Sequence, residues 1–231
     1  MEGFRYIDIF STKGIEYLIV IGFLAGFLVY SRYLRARRAA APAGVPAADS
    51  VEWFRVPEAL HFHQGHSWLR QDGGELATVG WDDFARKMVG KVDAVSLPRV
   101  GATLRQGEMG WAVEADGDRI PMVSPVDGVV EAVNRKAASD PGVMLRDPYG
   151  EGWLVKVRSP RVRTNARNLL SGRLACQWME NSLAALRAGS GGSLGTVYQD
   201  GGLPVDGIAR ALYGDDWGLE VRNFFLTGDD S

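Results

Sequence analysis

The sequence is poor in the residue types that most often carry catalysis or bind metals. Its 231 residues contain one cysteine, Cys176, and three histidines. A lone cysteine cannot form an intramolecular disulfide, so it says nothing about the redox compartment. Because Cys176 lies in an apolar helical pattern, we expect a buried thiol without a chemical role.

Arrangements that would indicate an enzyme are also missing from the sequence. It contains no Ser-His-Asp arrangement, no pair of catalytic carboxylates and no cysteine cluster. The GSGG segment lacks the preceding strand and following helix that a phosphate-binding loop requires. The protein is therefore predicted not to be an enzyme.

Neither charge sign predominates. Lysine and arginine total 26, aspartate and glutamate total 28, and the formal net charge is −2. A nucleic-acid-binding protein would show a clustered basic face and a high pI, so nucleic acid is excluded as a partner. Hydrophobic residues make up 46% of the chain, which is sufficient for the packed core of one or two domains.

One long apolar run is present, near the N-terminus. Residues 14–34 read GIEYLIVIGFLAGFLVYSRYL, and the uncharged part, 17–31, is 15 residues long. A helix needs ~20 residues to cross the hydrocarbon core, a length that the run reaches only with its aromatic and snorkelling flanks. We predict a transmembrane helix at 14–34 that contacts the lipid bilayer, and an interfacial segment at 1–13.

The charges after this run distinguish an anchor from a cleaved signal. Four arginines follow it directly: Arg32, Arg35, Arg37 and Arg38. A signal peptide carries its positive charge before the apolar run, although the small residues of 39–50, AAAPAGVPAADS, keep that alternative open. The same arginines predict a single-pass membrane protein whose soluble domain is cytoplasmic.

The rest of the chain divides by composition. Residues 35–55 are Pro/Ala-rich without periodicity and are predicted to form a linker. From residue 51 to about 158, short apolar runs separated by Gly, Pro and Asp predict an all-β unit. The predicted strands are ELATVGW, VDAVSLP, MGWAVEA, IPMVSP, GVVEAVN and GWLVKVR.

Helices are predicted at three further places. Apolar spacing predicts a short helix over 81–89, opened by Asp82 and Asp83 and closed by Gly90, and a longer one over 164–187. Residues 189–231 begin with a flexible GSGGS break and continue with a helix starting at Pro204. The final segment, DDWGLEVRNFFL, is expected to pack its aromatic residues back on an apolar surface.

Several runs of this sequence resemble the H protein of the glycine cleavage system. They are HSWLR, ATVGWDDFARKMVG, VDAVSLPRVGATLRQGE, SPVDGVVEAVN and DPYGEGWLVKV, and the similarity extends over about 56–188. The resemblance implies a mainly β fold, a barrel-sandwich hybrid of two small antiparallel sheets. Around it we expect short helices, the N-terminal transmembrane helix and the C-terminal helical extension.

The resemblance also identifies a missing residue. In that family a hairpin presents a lysine that carries lipoate, and the lipoyl arm moves an intermediate between partner enzymes. Aligning VEADGDRIPMVSPVDG from both ends without a gap places Gly117 at the lysine position. Glycine has no amine, and neither a carboxylate nor a guanidinium can replace it, so the resemblance implies a hairpin without lipoate or another cofactor.

The residues around Gly117 have a structural preference of their own. The Asp116-Gly117 pair between two apolar runs predicts a tight hairpin turn, since glycine adopts positive φ at little cost. None of the lysines has a sequence context that resembles the lipoylation pattern. They are Lys13, Lys87, Lys91, Lys136 and Lys156.

The three histidines fall within six residues, in ALHFHQGHSW. His61, His63 and His66 are weak candidates for a zinc or copper site. No supporting hydrogen-bond partner is evident in the sequence, so we expect no metal. The alternative is a strand that enters the domain, with His66 explained by the family pattern.

The longest basic stretch has no acid between Glu151 and Glu180. Its cations are Lys156, Arg158, Arg161, Arg163, Arg167 and Arg173. Two interpretations are open: a surface that faces anionic lipid, or a solvated face paired with nearby acids.

Two functions follow as hypotheses. The first is a membrane-anchored, non-lipoylated H-like domain that serves as a structural or docking subunit of a membrane-associated protein complex, a respiratory assembly being one candidate. The second is a lipoyl carrier of glycine cleavage or a related one-carbon or acyl transfer. The lost lysine favours the first.

Overall fold

The computed structural model describes residues 17, 19–28, 30, 49–189, 198–199, 203–204 and 206–228. The chain forms two compact units, Met1–Gly44 and Val45–Ser231. In the first unit, residues 17, 19–28 and 30 are helical and are labelled α1.

This helix corrects the predicted localisation. No helix among the described residues is both long and apolar enough to cross a membrane. The prediction of a single-pass membrane protein anchored through 14–34 is therefore wrong. The physical reason is length: the 15-residue uncharged run falls short of ~20 residues. The flanks that were to extend it, residues 14–16 and 31–34, lie outside the described residues, as do the predicted interfacial segment 1–13 and most of the linker.

The second unit is built mainly from short antiparallel strands. They are β1 (Asp49–Val51), β2 (Phe54–Val56), β3 (His61–Phe62), β4 (Ser67–Gly73), β5 (Leu76–Trp81), β6 (Ala94–Ser96), β7 (Thr103–Leu104), β8 (Met109–Ala115), β9 (Asp118–Val123), β10 (Gly128–Val133), β11 (Val155–Arg158), β12 (Tyr198–Gln199) and β13 (Leu203–Pro204). All six predicted strands are present as β5, β6, β8, β9, β10 and β11.

Two sheets form the body of this unit. The larger has the order β3-β4-β5-β11-β10-β7, and the smaller has the order β6-β8-β9. Two-stranded pairs β1-β2 and β12-β13 complete the sheets of the described residues. The predicted class, mainly β with short helices, is confirmed, and two sheets are consistent with the expected barrel-sandwich hybrid.

The helices of this unit are short apart from one. They are α2 (Asp83–Val89), α3 (Arg135–Ser139), α4 (Gly142–Arg146), α5 (Val162–Arg167), α6 (Gly172–Gly189), α7 (Ile208–Tyr213) and α8 (Trp217–Phe224). The predicted helix at 81–89 is confirmed as α2, because the Asp82 side chain accepts the N–H of Ala85 and Gly90 ends the helix.

The predicted helix at 164–187 is in fact two helices, α5 and α6. They are separated at Leu170, whose backbone forms a β-bridge with Phe62. The Phe62 N–H donates to the Leu170 carbonyl at 2.7 Å, and the Leu170 N–H donates to the Phe62 carbonyl at 2.9 Å. These bonds replace helical ones, which sequence periodicity alone does not reveal.

The structure also differs from the predicted linker at its C-terminal end. Residues 49–55 form β1 and most of β2, and the side chains of Val51 and Phe54 are buried in the core. Apolar burial by these short strands explains the difference.

The C-terminal helical extension is present as α7 and α8. Pro204, the predicted helix start, lies in β13, and the first helix begins at Ile208. Trp217, Val221 and Phe225 are buried, as expected for residues that pack back on an apolar surface. Phe225 is among the largest fully buried side chains of the described residues, so the extension is part of the core.

Candidate functional site

The hairpin between β8 and β9 ends in a two-residue turn. Ala115 pairs with Asp118, leaving Asp116 and Gly117 as the loop. Both have positive φ, 49° and 85°, which is the geometry of the type I′ turn that asparagine or aspartate followed by glycine favours. The Asp116 N–H donates to Oδ2 of Asp93 at 2.9 Å, and this hydrogen bond is the main reason why the pKa of Asp93 is lowered. The predicted tight turn is confirmed.

Gly117 lies at the exposed tip of this hairpin. A Cβ added there would meet no atom within 4 Å, so the position has room for a side chain. The cost of a side chain is conformational, because a residue with Cβ in the left-handed region pays roughly 1–2 kcal/mol. The turn itself therefore favours glycine.

None of the lysines among the residues that the structure describes lies in a turn like that of Asp116-Gly117. Lys87 pairs with Asp83 at 2.9 Å, Lys91 with Asp93 at 3.4 Å and Lys136 with Glu151 at 2.9 Å, while Lys156 lies over the Trp153 ring. Lys13 lies outside the described residues.

The C-terminal extension packs against α2 through Gly207 and the first residues of α7. The N–H of Gly207 donates to the Lys87 carbonyl at 2.9 Å, and Ile208 and Ala209 are completely buried beside α2. A Cβ on Gly90 would lie 2.5 Å from the Gly207 nitrogen. The two segments therefore approach as closely as their backbones allow.

Arg210 of α7 forms an ion pair with Asp116 of the turn. Its guanidinium also donates to the Val89 carbonyl. The guanidinium carbon lies 4.0 Å from the centre of the Trp217 ring, within the range of a cation–π contact. Three different partners thus hold this arginine beside the turn.

The other side of the turn is held by α8. Arg222 pairs with Oδ1 of Asp118 at 3.2 Å and donates to the Arg119 carbonyl at 3.2 Å. The Thr227 hydroxyl donates to the Pro121 carbonyl at 3.1 Å. These contacts follow β9 for four residues from the turn.

Sequence reasoning missed these extension residues. It identified the aromatic residues of the extension but gave no role to Arg210, Arg222 or Thr227. The partners of Arg222 and Thr227 lie more than a hundred residues earlier in the chain, so no local sequence pattern marks these contacts.

The three histidines have different environments. His66 is buried, and its Nδ1 lies 2.8 Å from Oδ2 of Asp82. His63 Nδ1 accepts the N–H of Gly65 at 3.0 Å, whereas His61 Nε2 is 3.3 Å from the Gln71 amide. Burial lowers the pKa of His61 and of His63, and the neighbouring His66 adds to the effect at His63.

The histidines do not converge on a common point. β3 contains only His61 and Phe62, so His63 does not share a strand face with His61. Within the described ranges, no group of three or more His, Cys, Asp or Glu side chains could hold a metal ion.

The basic stretch is partly paired with acids. Arg158 lies 2.8 Å from Glu131, and Arg161 lies 2.8 Å from Asp127. Arg163, Arg167 and Arg173 are exposed. Cys176 of α6 is half-buried against the core.

These features define a class of protein: a small, mainly β, lipoyl-like domain whose hairpin displays a two-residue turn. The chain belongs to the glycine cleavage H-protein family. The family model described as "Glycine cleavage H-protein" matches residues 60–182, which is more than half of the chain.

Two sequence relatives named "Glycine cleavage system H protein" support the assignment. That of Marinobacter nauticus is 37% identical over 45% of this chain and 79% of its own length. That of Mycobacterium avium is 40% identical over 45% of this chain and 78% of its own length. The crystal structure of an H protein from Mycobacterium marinum superimposes with a TM-score of 0.48 and 26% identity, covering 55% of this chain and 98% of that chain.

Proposed function

We propose that this protein is a non-lipoylated member of the H-protein family that acts as a structural or docking subunit of a protein complex. The observation that carries the proposal is Gly117 at the tip of the β8–β9 hairpin, where the family resemblance places the lipoyl lysine. The proposed role is that of a binding module, with other protein subunits as partners and without a catalytic step of its own.

The contacts of the turn support this proposal. Asp116 and Asp118, on either side of Gly117, are both paired with arginines of the extension. A carrier arm needs a tip that leaves the domain surface freely, whereas this tip is tied to two helices. The hairpin is retained, but its tip has no side chain that could carry a mobile lipoyl arm.

An open cleft lies on the larger sheet, beside β7, the start of β10 and the residues that follow β11. It has a volume of about 510 Å³ and is lined by the apolar residues Leu104, Val129 and Pro160, by Arg105 and by the ion pair of Arg161 with Asp127. The Val129 side chain is 45% exposed. An exposed apolar cleft with arginines at its edge has the composition of a protein-binding surface, which supports docking at this cleft.

Intact-mass spectrometry of the protein from its native cells tests the first part. The expected mass is that of the unmodified polypeptide, with the Marinobacter nauticus relative, expressed in the same cells, as a control for lipoylation. A lipoyl adduct on any lysine would contradict the proposal and favour the alternative, a lipoyl carrier of glycine cleavage, the system that the names of the relatives give.

Chemical cross-linking in those cells tests the second part. We expect reproducible cross-linked subunits that are lost in the Val129→Glu variant and kept in Val100→Glu, which changes an exposed valine outside the cleft lining. If the natural protein, like the Val129→Glu variant, remains monomeric and forms no cross-links to other proteins, it is not a docking subunit.

A further inference from the structure

We propose that residues 206–228 cover the turn and the outer edge of the β8–β9 hairpin, and that they exclude a lipoate-attaching enzyme from the turn even when a lysine is placed there. The inference concerns the same hairpin as the proposed function and rests on it for the identity of the turn. It adds a second barrier to acylation that is independent of Gly117.

The edge of β9 is the first part of this barrier. β9 is the outer strand of the β6-β8-β9 sheet. Because Ala115 and Asp118 close the turn, the alternate residues Arg119 and Pro121 direct their backbone groups away from β8. Pro121 has no N–H to leave unpaired, which suits an edge position. The extension uses both outward carbonyls, through Arg222 and Thr227.

An unpaired strand edge is a surface to which another chain can add. Here the donors of the extension occupy that surface along β9. A protein that binds the hairpin from this side must first displace Arg222 and Thr227. The edge therefore already has a partner within the chain.

The charges of the turn form the second part. Asp116 and Asp118 are the acidic groups next to Gly117, and Arg210 and Arg222 pair with them. The side chains of Arg210 and Arg222 are only 24% and 28% exposed, whereas those of Asp116 and Asp118 are 56% and 35% exposed. An enzyme that binds the acidic turn would find each carboxylate already paired with an arginine.

The fit of the extension forms the third part. A Cβ on Gly218 would lie 2.8 Å from the Asp118 carboxylate. A Cβ on Gly65 would lie 2.6 Å from the Phe225 carbonyl oxygen. Val221 and Phe225, which belong to the extension, are fully buried. The extension is thus seated on the domain by shape as well as by charge.

Lipoylation of full-length variants in the Gly117→Lys background provides the test. A lipoate ligase uses ATP to activate lipoate as the adenylate and releases pyrophosphate. The lipoyl carbonyl then forms an amide with the lysine Nζ while AMP and a proton leave. The rate is followed by peptide-mapping mass spectrometry. We expect Gly117→Lys combined with Arg210→Ala and Arg222→Ala to be acylated at least about tenfold faster than Gly117→Lys alone, because the accessible fraction of the turn rises.

Two measurements keep the comparison specific. Gly117→Lys with Arg163→Ala and Arg167→Ala removes two exposed arginines from α5, and its rate should equal that of Gly117→Lys alone. Hydrogen exchange at the amides of 116–120 reports directly whether the extension has been released. If the double-arginine variant fails to fold, Gly218→Ala in the Gly117→Lys background opens the same contact by steric means and should also accelerate acylation.

Equal rates with and without Arg210 and Arg222 would overturn the inference. So would the absence of acylation in both variants when hydrogen exchange shows the hairpin released, since the turn would then be accessible and still not used. Neither result bears on whether the unaltered chain is lipoylated. The proposed function fails only if the natural protein itself carries a lipoyl group.

Discussion

His66 Nδ1 and Asp82 Oδ2 lie 2.8 Å apart, and both side chains are buried. The other oxygen of Asp82 accepts the Ala85 N–H at 2.8 Å and caps α2. The imidazole stacks on Phe84 with a centroid distance of 4.2 Å and lies 5.7 Å from Phe225 of the extension. The Asp82 carboxylate therefore links His66 to α2, and the imidazole contacts the extension, so a histidine among the weak metal candidates has a structural role here.

Replacing Asp82 with alanine should destabilise the protein by about 2–4 kcal/mol. The loss of the helix cap contributes ~1 kcal/mol, and the buried imidazole left without its acceptor contributes about 1–3 kcal/mol. Urea unfolding followed by tryptophan fluorescence measures the change. Asp140→Ala, which removes an exposed carboxylate paired with Arg146, is the control and should cost at most about 0.5 kcal/mol. Similar losses for the two variants would show that the His66–Asp82 pair adds little.

The neighbouring residues Phe225 and Leu226 should respond very differently to truncation. Phe225 is fully buried, whereas the Leu226 side chain is 57% exposed. We expect Phe225→Ala to lower the free energy of unfolding by about 3–5 kcal/mol, the cost of a large cavity. Leu226→Ala should cost about 0.5 kcal/mol or less. Thermal unfolding monitored by circular dichroism compares the two, and a small effect of Phe225→Ala would mean that the extension is not part of the core.

The turn makes a separate prediction about Gly117. Gly117→Ala should destabilise the protein by about 1–2 kcal/mol, because alanine at a φ of 85° is strained although no atom blocks its Cβ. Gly117→Asn is the matched control and should cost less, since asparagine tolerates the left-handed region. Chemical denaturation distinguishes them. Equal stability of the alanine variant and the natural protein would show that the turn changes conformation without cost.

The sequence predicted the elements that local chemistry determines. Asp116-Gly117 fixes its own turn, and Asp82 and Gly90 mark the two ends of α2. The six predicted strands follow from short apolar runs between turn residues. Family resemblance then related these elements to a known scaffold.

What could not be predicted depends on contacts between distant segments. The break between α5 and α6 arises from the bridge of Leu170 to Phe62, more than a hundred residues away. The contact of Arg210 with Asp116 likewise joins residues that are 94 positions apart in the chain (210 − 116 = 94). Neither leaves a periodic signal, because the partners are brought together only by the packing of the whole domain. The prediction of a membrane-spanning helix near the N-terminus was wrong for a different reason. The hydropathy and flanking charges of the apolar run were given more weight than its length.

The stability of the protein should fall in acid partly through Asp83. Burial alone would raise the pKa of this carboxyl, but Lys87, Arg86 and the Arg55 N–H together outweigh it and leave the pKa lowered. The unfolded state then binds a proton more readily than the folded state, so the stabilisation is present above the unfolded pKa of ~3.9 and is lost as the pH falls through the folded value.

Urea unfolding between pH 7 and pH 2.5 measures this loss in the natural protein and in Asp83→Asn. The natural protein should lose stability steeply below a pH of about 4, and the variant should be less stable at pH 7 with a shallower decline. Asp72→Asn is the control, because Asp72 forms an ion pair with Arg70 at a more exposed position. A parallel decline of Asp83→Asn and the natural protein would show that the three partners of Asp83 do not hold its charge in the folded state.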